Sequence, residues 1–280
     1  MALLNSFSSG VSAVKTFGKS LEVIGDNIAN VNTTGFKSSR TLNKDAFAET
    51  LQKSTAAVGD VGGTNSMQVG YGTSVASITQ KFTQGALTTT GGPADLGVSG
   101  KGFFKVTNPN DGNFYFTRAG DFRVDDAGNL LSSEGYNVVG AAGNINIPQI
   151  NGTAPIQSYK IDKDGIIDAY YADGTLTEGV GQILLTAFTN PNALERIGGN
   201  LMRNPGGEDG AAPGAAGAQQ ADVANATQFG EIIQGTLELS NVDLTQEFSD
   251  LIVAQRSFQA GSRVITVSDS VMDEIVNLKR

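Results

Sequence analysis

The chain has 280 residues, a formal net charge of −9, no cysteine and no histidine. The acidic balance argues against a nucleic-acid partner, and the two missing residue types exclude disulfides, thiol nucleophiles and the usual zinc ligands. Residues 1–15 lack a basic stretch followed by an apolar core, and no run approaches the roughly 20 apolar residues of a membrane span. These features predict a soluble protein that does not use the ordinary secretory route.

The N-terminal segment, residues 1–36, begins with apolar residues at heptad spacing, which predicts a long amphipathic helix. One seam holds Phe7, Val14, Leu21 and Ile28, and the other holds Leu3, Gly10, Phe17 and Ile24. The helix then meets the stretch IGDNIANVNTTGFK, whose Asn and Thr side chains compete for backbone hydrogen bonds and favour a turn. Gly35 can adopt a positive φ there, and Phe36 can fold back as an anchor. The residues of this predicted joint are Asn27, Asn30, Asn32, Thr34, Gly35 and Phe36.

The middle of the chain reads as strands and turns. Residues 37–70 are predicted to be an extended connecting segment, and residues 71–235 a β-rich body with short alternating runs and repeated Asp-Gly breaks. Within the body, residues about 140–180 have room for a small outer subdomain. Residues 204–220, NPGGEDGAAPGAAGAQQ, have no periodicity and are predicted to be a flexible loop.

The C-terminal segment, residues 236–280, repeats the heptad pattern. One seam holds Leu244, Leu251, Phe258, Ile265 and Met272, and the other holds Ala254, Gly261, Ser268 and Ile275. Asn241 or Asp243 can cap the start of this helix. We therefore predict an α+β, mostly β fold, in which a discontinuous coiled-coil-like pair of antiparallel terminal helices carries a β-rich body inserted between them. A helix pair leaves one side of its seam open, so it is also expected to dock against neighbouring copies.

No candidate active site emerges from the sequence. A phosphate-binding loop that includes GVSGKGFF would need Gly at position 95 and Ser or Thr at position 102, where the chain has Asp95 and Gly102. Asp162 and Asp164 resemble the start of a calcium loop, but Ile167 stands at its obligatory glycine, and hairpin turns explain DKDG and YADG better. We expect a non-enzymatic structural subunit with no catalytic, cofactor or metal site.

Four stretches carry a resemblance to a known family: LEVIGDNIANVNTTGFKSSR, FTQGALTTTGGPADLGVSGKGFFKV, FYFTRAGDFRVDDAGNLLSSEGYNVVG, and residues 235–280. In this order they closely resemble the flagellar rod and hook family of axial proteins. The resemblance implies a subunit of a bacterial tube in the cell envelope or outside the cell, whose paired terminal helices form the inner layer. It also implies that the partners are copies of the chain, neighbouring axial proteins and the flagellar type III export apparatus, which would account for the missing signal peptide.

Within the family, two assignments compete. The C-terminal stretch and GGTNSMQVGYGTSVASI look most like short hook proteins, which favours a hook subunit, part of a universal joint that transmits torque from rod to filament. The long segment from Phe36 to Gly70 is also a feature of the distal rod protein, so a distal rod subunit is the alternative. An unrelated secreted β-rich adhesin or enzyme is a weaker alternative, because such a protein would not need heptads at both ends.

Overall fold

A computed structural model describes residues 2–56, 62–109, 112–151, 154–188, 190–205, 219–223 and 229–278. The chain divides into two compact units. Unit 1 comprises Met1–Ala29, Ser39–Lys81 and Asp243–Arg280, and unit 2 comprises Asn30–Ser38 and Phe82–Val242. The turn that follows the first helix therefore belongs to unit 2, although the sequence pattern predicts it as part of the helical domain.

Unit 1 contains two long helices and a β-ribbon. The helices are α1 (Ala2–Ala29) and α2 (Leu244–Leu278), and the strands are β1 (Ser39–Asp45), β2 (Ala48–Gln52), β3 (Met67–Gly70) and β4 (Thr73–Gln80). Strand β1 pairs antiparallel with β4, and β2 pairs antiparallel with β3, so these four strands form one ribbon. Neither helix is long and apolar enough, over the residues described, to cross a membrane.

The helices α1 and α2 pack antiparallel and approach closely through small residues. A Cβ atom built on Gly10 would lie 3.0 Å from Ile265 Cγ1, and one built on Gly261 would lie 3.2 Å from Val14 Cγ2. The buried residues of α2 are Ala254, Gly261 and Ser268. One of the two predicted α2 seams, the one with small side chains, therefore makes the tight contact, because small residues let two helix backbones come together.

A polar stripe on α1 holds the ribbon. The Ser12 hydroxyl accepts a hydrogen bond from the Thr73 N–H at 3.2 Å, and the Thr16 hydroxyl donates to the Thr73 carbonyl at 3.3 Å. One turn further on, the hydroxyls of Ser20 and Thr41 lie 2.9 Å apart. These bonds explain why polar Thr16 and Ser20 are buried, since buried polar groups require partners.

Unit 2 consists of short antiparallel strands. These are β5 (Leu87–Thr89), β6 (Leu96–Ser99), β7 (Phe103–Thr107), β8 (Phe114–Thr117), β9 (Arg123–Val124), β10 (Leu130–Leu131), β11 (Asn137–Gly140), β12 (Gly143–Asn144), β13 (Ile150–Asn151), β14 (Ala154–Ile161), β15 (Ile166–Tyr171), β16 (Leu176–Gln182), β17 (Leu184–Phe188), β18 (Glu195–Gly198), β19 (Leu201–Arg203), β20 (Gln219–Val223), β21 (Glu231–Gln234) and β22 (Thr236–Glu238). A 3-10 turn, Pro191–Ala193, precedes β18.

The strands of unit 2 form one large sheet and several small ones around a common core. The main path of the large sheet runs β18-β19-β8-β7-β11-β10-β9, with β12, β17 and β20 attached beside it. Strands β13–β16 make a separate four-stranded sheet, and β6 and β5 pair with β21 and β22. Side chains of both larger sheets, among them Phe104, Val138 and Ile167, share a single apolar cluster.

The predicted fold class is confirmed: a helix at each end of the chain flanks a β-rich body in the sequence. The segment 37–70, predicted to be extended, contains β1, β2 and β3. The sheet β13–β16 covers most of the predicted outer subdomain at 140–180, but its inner side chains belong to the common core. Residues 206–218 of the predicted loop at 204–220 lie outside the described residues. In DKDG and YADG, the glycines Gly165 and Gly174 close the β14–β15 and β15–β16 hairpins at positive φ.

Candidate assembly surfaces and the joint

Ten of the large seam residues are those that we expect to take part in assembly, and the helix pair covers them only partly. Val14, Leu21, Ile24, Ile28, Leu251, Phe258 and Ile265 are half-buried, and Phe7, Leu244 and Met272 are exposed. Contacts within unit 1 do not fully bury any of these ten side chains, because small residues make the close contact between the helices.

A second set of apolar side chains on α2 faces solvent. It comprises Phe248, Ile252, Val253, Val264, Val267, Ile275 and Val276. A run of exposed apolar residues of this length along one helix is unusual for a monomer and is typical of a protein-binding surface. Helix α2 therefore has more apolar surface than α1 can bury.

Asn27, the first residue of the predicted joint, ties the end of α1 to the start of the ribbon within unit 1. Its amide group bonds to both backbone groups of Ser39: Oδ1 accepts from the Ser39 N–H at 2.9 Å, and Nδ2 donates to the Ser39 carbonyl at 2.7 Å. The same Nδ2 donates to Glu247 Oε1 at 3.0 Å. This explains a buried asparagine in the last helical turn, because its side-chain amide offers one acceptor oxygen and two N–H donors, which these three bonds use.

Glu247 lies in the first turn of α2, and Asp243 caps that helix. The Asp243 carboxylate accepts from the N–H groups of Thr245 and Gln246 at 2.9 and 3.3 Å. Burial raises the pKa of Glu247, an effect opposed by the hydrogen bond from Asn27. The negative charge on Glu247 is thus disfavoured in the folded protein.

The asparagine-rich stretch ends α1 at Ala29 and forms a turn, as predicted, and that turn belongs to unit 2. The Asn30 side chain accepts from the Thr33 hydroxyl at 3.1 Å, and the Asn30 carbonyl accepts from the Thr33 N–H at 3.2 Å. The Thr34 carbonyl accepts from Asn200 Nδ2 at 2.7 Å. Asn32 is exposed.

Gly35 and Phe36 fix the turn to the β body. Gly35 has a φ of 67°, which confirms the predicted left-handed conformation, and its N–H donates to the Glu238 carbonyl at 2.8 Å. A Cβ at this position would lie 2.4 Å from the main-chain nitrogen of Ala119. The Phe36 ring is buried, and the Arg196 guanidinium lies 4.8 Å from its centroid.

Immediately after the turn, unit 2 contains a buried ion cluster. Lys37 Nζ donates to Glu238 Oε1 at 2.6 Å and to the Thr83 carbonyl at 2.9 Å. Arg118 NH1 donates to Glu238 Oε2 at 3.2 Å, and Arg118 NH2 donates to the Gly100 carbonyl at 2.7 Å. Burial lowers the pKa values of Lys37 and Arg118, and the Glu238 carboxylate opposes that effect.

Asn241 extends this cluster. Its Oδ1 accepts from the Ser38 N–H at 2.7 Å, and its Nδ2 donates to the carbonyl and hydroxyl of Thr83 at 3.1 and 3.0 Å. Asn241 is therefore not the helix cap that the sequence allowed it to be. We call Lys37, Thr83, Arg118, Glu238 and Asn241 the junction cluster.

Sequence reasoning did not single out the charged residues of the junction cluster. The available signal was a charge inside an otherwise apolar strand pattern, as at Arg118 in FYFTRAG and Glu238 in GTLEL. Lys37 carried no such signal, because a lysine after a turn is ordinarily a solvated residue.

Several apolar side chains of the ribbon are exposed. Phe47 is 90% exposed, and Met67 and Val69, which share a face because side chains alternate along a strand, are also exposed. Leu51, at a bulge opposite them, is exposed as well. A two-stranded ribbon with this composition has little stability of its own in water.

Two terminal helices with partly exposed seams, and a β body inserted between them in the sequence, are typical of a structural subunit that associates with other chains. Comparison with known proteins supports this class. Residues 7–37 match the family described as flagella basal body rod protein, residues 97–169 the flagellar hook protein FlgE/F/G D1 domain, and residues 233–278 the flagellar basal body rod FlgEFG protein C-terminal.

Whole-chain relatives match from end to end. The chain is 42% identical to the flagellar basal-body rod protein FlgG of Bacillus subtilis, over 99% of this chain and 100% of that protein. It is 33% identical to FlgG of Borreliella burgdorferi over 100% and 99% of the two chains. The flagellar hook protein FlgE of Treponema pallidum is 24% identical in an alignment of 475 residues. The chain belongs to the flagellar rod and hook family of axial proteins, which are self-assembling structural components of the bacterial flagellum.

Proposed function

We propose that the chain is the distal rod subunit of the flagellar basal body and that it assembles into a stiff shaft. The observation that carries the proposal is the end-to-end match with FlgG rod proteins at 42% and 33% identity. The hook assignment favoured by the sequence analysis is replaced, because the hook relative is less similar and needs an alignment much longer than this chain. The C-terminal stretch that suggested a hook lies within residues 233–278, which match a family description common to FlgE, FlgF and FlgG, so that stretch does not separate these members.

The ribbon supports the rod assignment. A stiff shaft needs subunits that contact their neighbours over several surfaces, whereas a bendable joint needs surfaces that slide. The exposed side chains of Phe47, Met67 and Val69 give unit 1 an apolar contact surface in addition to the open helix seams. We propose that neighbouring copies cover both surfaces in the assembled rod.

The partners follow from this assignment. They are copies of the chain, the axial proteins that precede and follow it, and the flagellar type III export apparatus that delivers the unfolded subunit. The ten seam residues named above, from Phe7 to Met272, are proposed to contribute to the lateral packing of helices.

Deletion of the gene separates the two assignments. A strain without a distal rod subunit should yield isolated basal bodies whose rod is short and carries no hook. A strain without a hook subunit would instead retain a rod of full length. Electron microscopy of basal bodies, with the complemented strain as control, gives the answer, and a full-length rod in the deletion strain would contradict the proposal.

Variants of the ribbon test its role. Phe47→Ser and Val69→Thr remove apolar contact area but preserve β-propensity at Val69, so assembly should weaken while the folded monomer persists. Gln68→Ala, on the opposite face of the same strand, is the matched control and should assemble normally. Equal assembly of all three variants, measured by sedimentation and motility, would remove the ribbon from the proposal.

A further inference from the structure

The junction cluster joins three chain segments of unit 2 that are far apart in sequence. These segments are residues 35–38, 83–85 and 238–241. Each lies next to a point at which the chain leaves or enters unit 2, namely after Ser38, before Phe82 and after Val242. The cluster therefore sets where these three segments stand relative to one another within unit 2.

Glu238 is the centre of this arrangement. Its side chain is 0% exposed, and Oε1 accepts from both Lys37 Nζ and the Gly85 N–H, the latter at 2.9 Å. Its Oε2 accepts from Arg118, and its carbonyl accepts from the Gly35 N–H. One residue thus provides acceptors to all the segments that meet here, through both side chain and backbone.

The charges of the cluster do not balance. Two buried cations, Lys37 and Arg118, share one carboxylate, which leaves one positive charge in excess. Neither cation forms an ion pair with a second carboxylate among the described residues, and Arg118 Nε lacks a hydrogen-bond partner there. Removing the negative charge would leave two uncompensated buried cations, whereas removing the Lys37 charge would leave a balanced pair. Loss of one partner from a buried pair is costly because the remaining charge is desolvated.

We infer that Glu238 is the positioning residue of the junction and that its negative charge holds the three segments together against the repulsion of Lys37 and Arg118. Loss of that charge opens the three segments locally, while the apolar core of unit 2 remains folded. The inference concerns unit 2 alone and holds whether the assembled tube is rod or hook.

The cluster lends itself to a test by hydrogen exchange on the full-length chain in dilute solution. Reporter amides are those of Gly35, Ser38 and Gly85, which donate to Glu238 or Asn241. Reference amides are those of Ile145 and Ile183, whose N–H groups bond to carbonyls within the body.

The test compares the unmodified chain with Glu238→Gln, Lys37→Met and the double variant. Gln at 238 keeps the shape and the acceptor for the Gly85 N–H but removes the charge, so reporter exchange should accelerate about a hundredfold or more. Lys37→Met should change the exchange rate of the reporter amides by less than about tenfold, because the remaining Arg118–Glu238 pair has no net charge. The double variant has one excess positive charge, as the unmodified chain does. Its reporter amides should therefore exchange at least about tenfold more slowly than those of Glu238→Gln.

Reference amides should stay within a few-fold of the unmodified chain in every variant. Equal effects of Glu238→Gln and Lys37→Met, or no recovery in the double variant, would overturn the inference. So would acceleration of the reference amides together with the reporters, because Glu238 would then stabilise the whole body. If Glu238→Gln alone does not fold, a folded double variant still supports the charge argument, and joint failure of both overturns it.

Discussion

Gly35 is the position at which a single methyl group should be most damaging to the joint. Two effects add there. The first is conformational: a φ of 67° is left-handed, and a residue with a Cβ is disfavoured in that region by about 1–2 kcal/mol. The second is steric: the new Cβ would lie 2.4 Å from Ala119 N and 2.6 Å from the Arg118 carbonyl carbon, both of which are main-chain atoms.

Main-chain atoms cannot rotate away as a side-chain terminus can, so the turn itself must shift. Overpacking of this kind costs about 1–3 kcal/mol, which with the conformational effect gives about 2–5 kcal/mol for Gly35→Ala. Gly174 provides a matched control, because it has a similar φ of 82° and a Cβ added there would meet no atom within 4 Å. Gly174→Ala should therefore cost only the conformational part.

The assay is chemical denaturation of the two variants and the unmodified chain, followed by far-ultraviolet circular dichroism. The free energy of unfolding should fall more for Gly35→Ala than for Gly174→Ala. In cells, only Gly35→Ala should impair motility. Equal losses in the two variants would refute the argument that the close contact with residues 118 and 119 matters.

Three further predictions concern the helix pair. Because burial raises the pKa of Glu247, the folded protein binds that proton more tightly than the unfolded chain, and the contribution of Glu247 to stability should fall as pH rises above its ordinary pKa of about 4.3. Glu247→Gln, which keeps the acceptor for Asn27, should remove this fall in pH-dependent melts, and an unchanged profile would contradict the assignment. Gly261→Leu should separate the helices and abolish assembly in sedimentation experiments, whereas Ser262→Leu, on the exposed side, should not abolish it. In the isolated monomer, amides of α1 and α2 should exchange faster than those of the β core, since none of the large seam side chains whose burial is described is fully buried. Equal protection would show that the helix pair is stable without neighbouring copies.

The parts of the fold that follow from local physics were accessible from the sequence. Heptad spacing identified both helices, and the asparagine-rich stretch identified the end of α1 at Ala29. The positive φ of Gly35 followed from the need to turn after a helix, and the Asp-Gly breaks correctly indicated hairpins. Each of these depends on residues within one or two turns of each other.

The junction cluster was inaccessible for the opposite reason. Lys37 and Glu238 are 201 residues apart in sequence, and Arg118 and Glu238 are 120 apart. Nothing local distinguishes a lysine that will be buried beside a carboxylate from one that will be solvated. The small-residue seam of α2 is a different case, because its small side chains predict that another helix can approach closely there, and the structure confirms this at Ala254, Gly261 and Ser268.

The small-residue contact between the helices also explains why unit 1 has exposed apolar surface along its helices. The two helices meet through small residues, so their backbones lie close together; these residues are Gly10, Ala254, Gly261 and Ser268. The large seam residues lie at the edges of this contact, where solvent reaches them. A pair built on leucines would bury more apolar area within one chain and leave less for others. The tight contact thus fixes the geometry of the two helices and leaves the seam residues half-covered. We propose that neighbouring copies cover these side chains, so that the hydrophobic gain of assembly would come from apolar area that the monomer cannot bury.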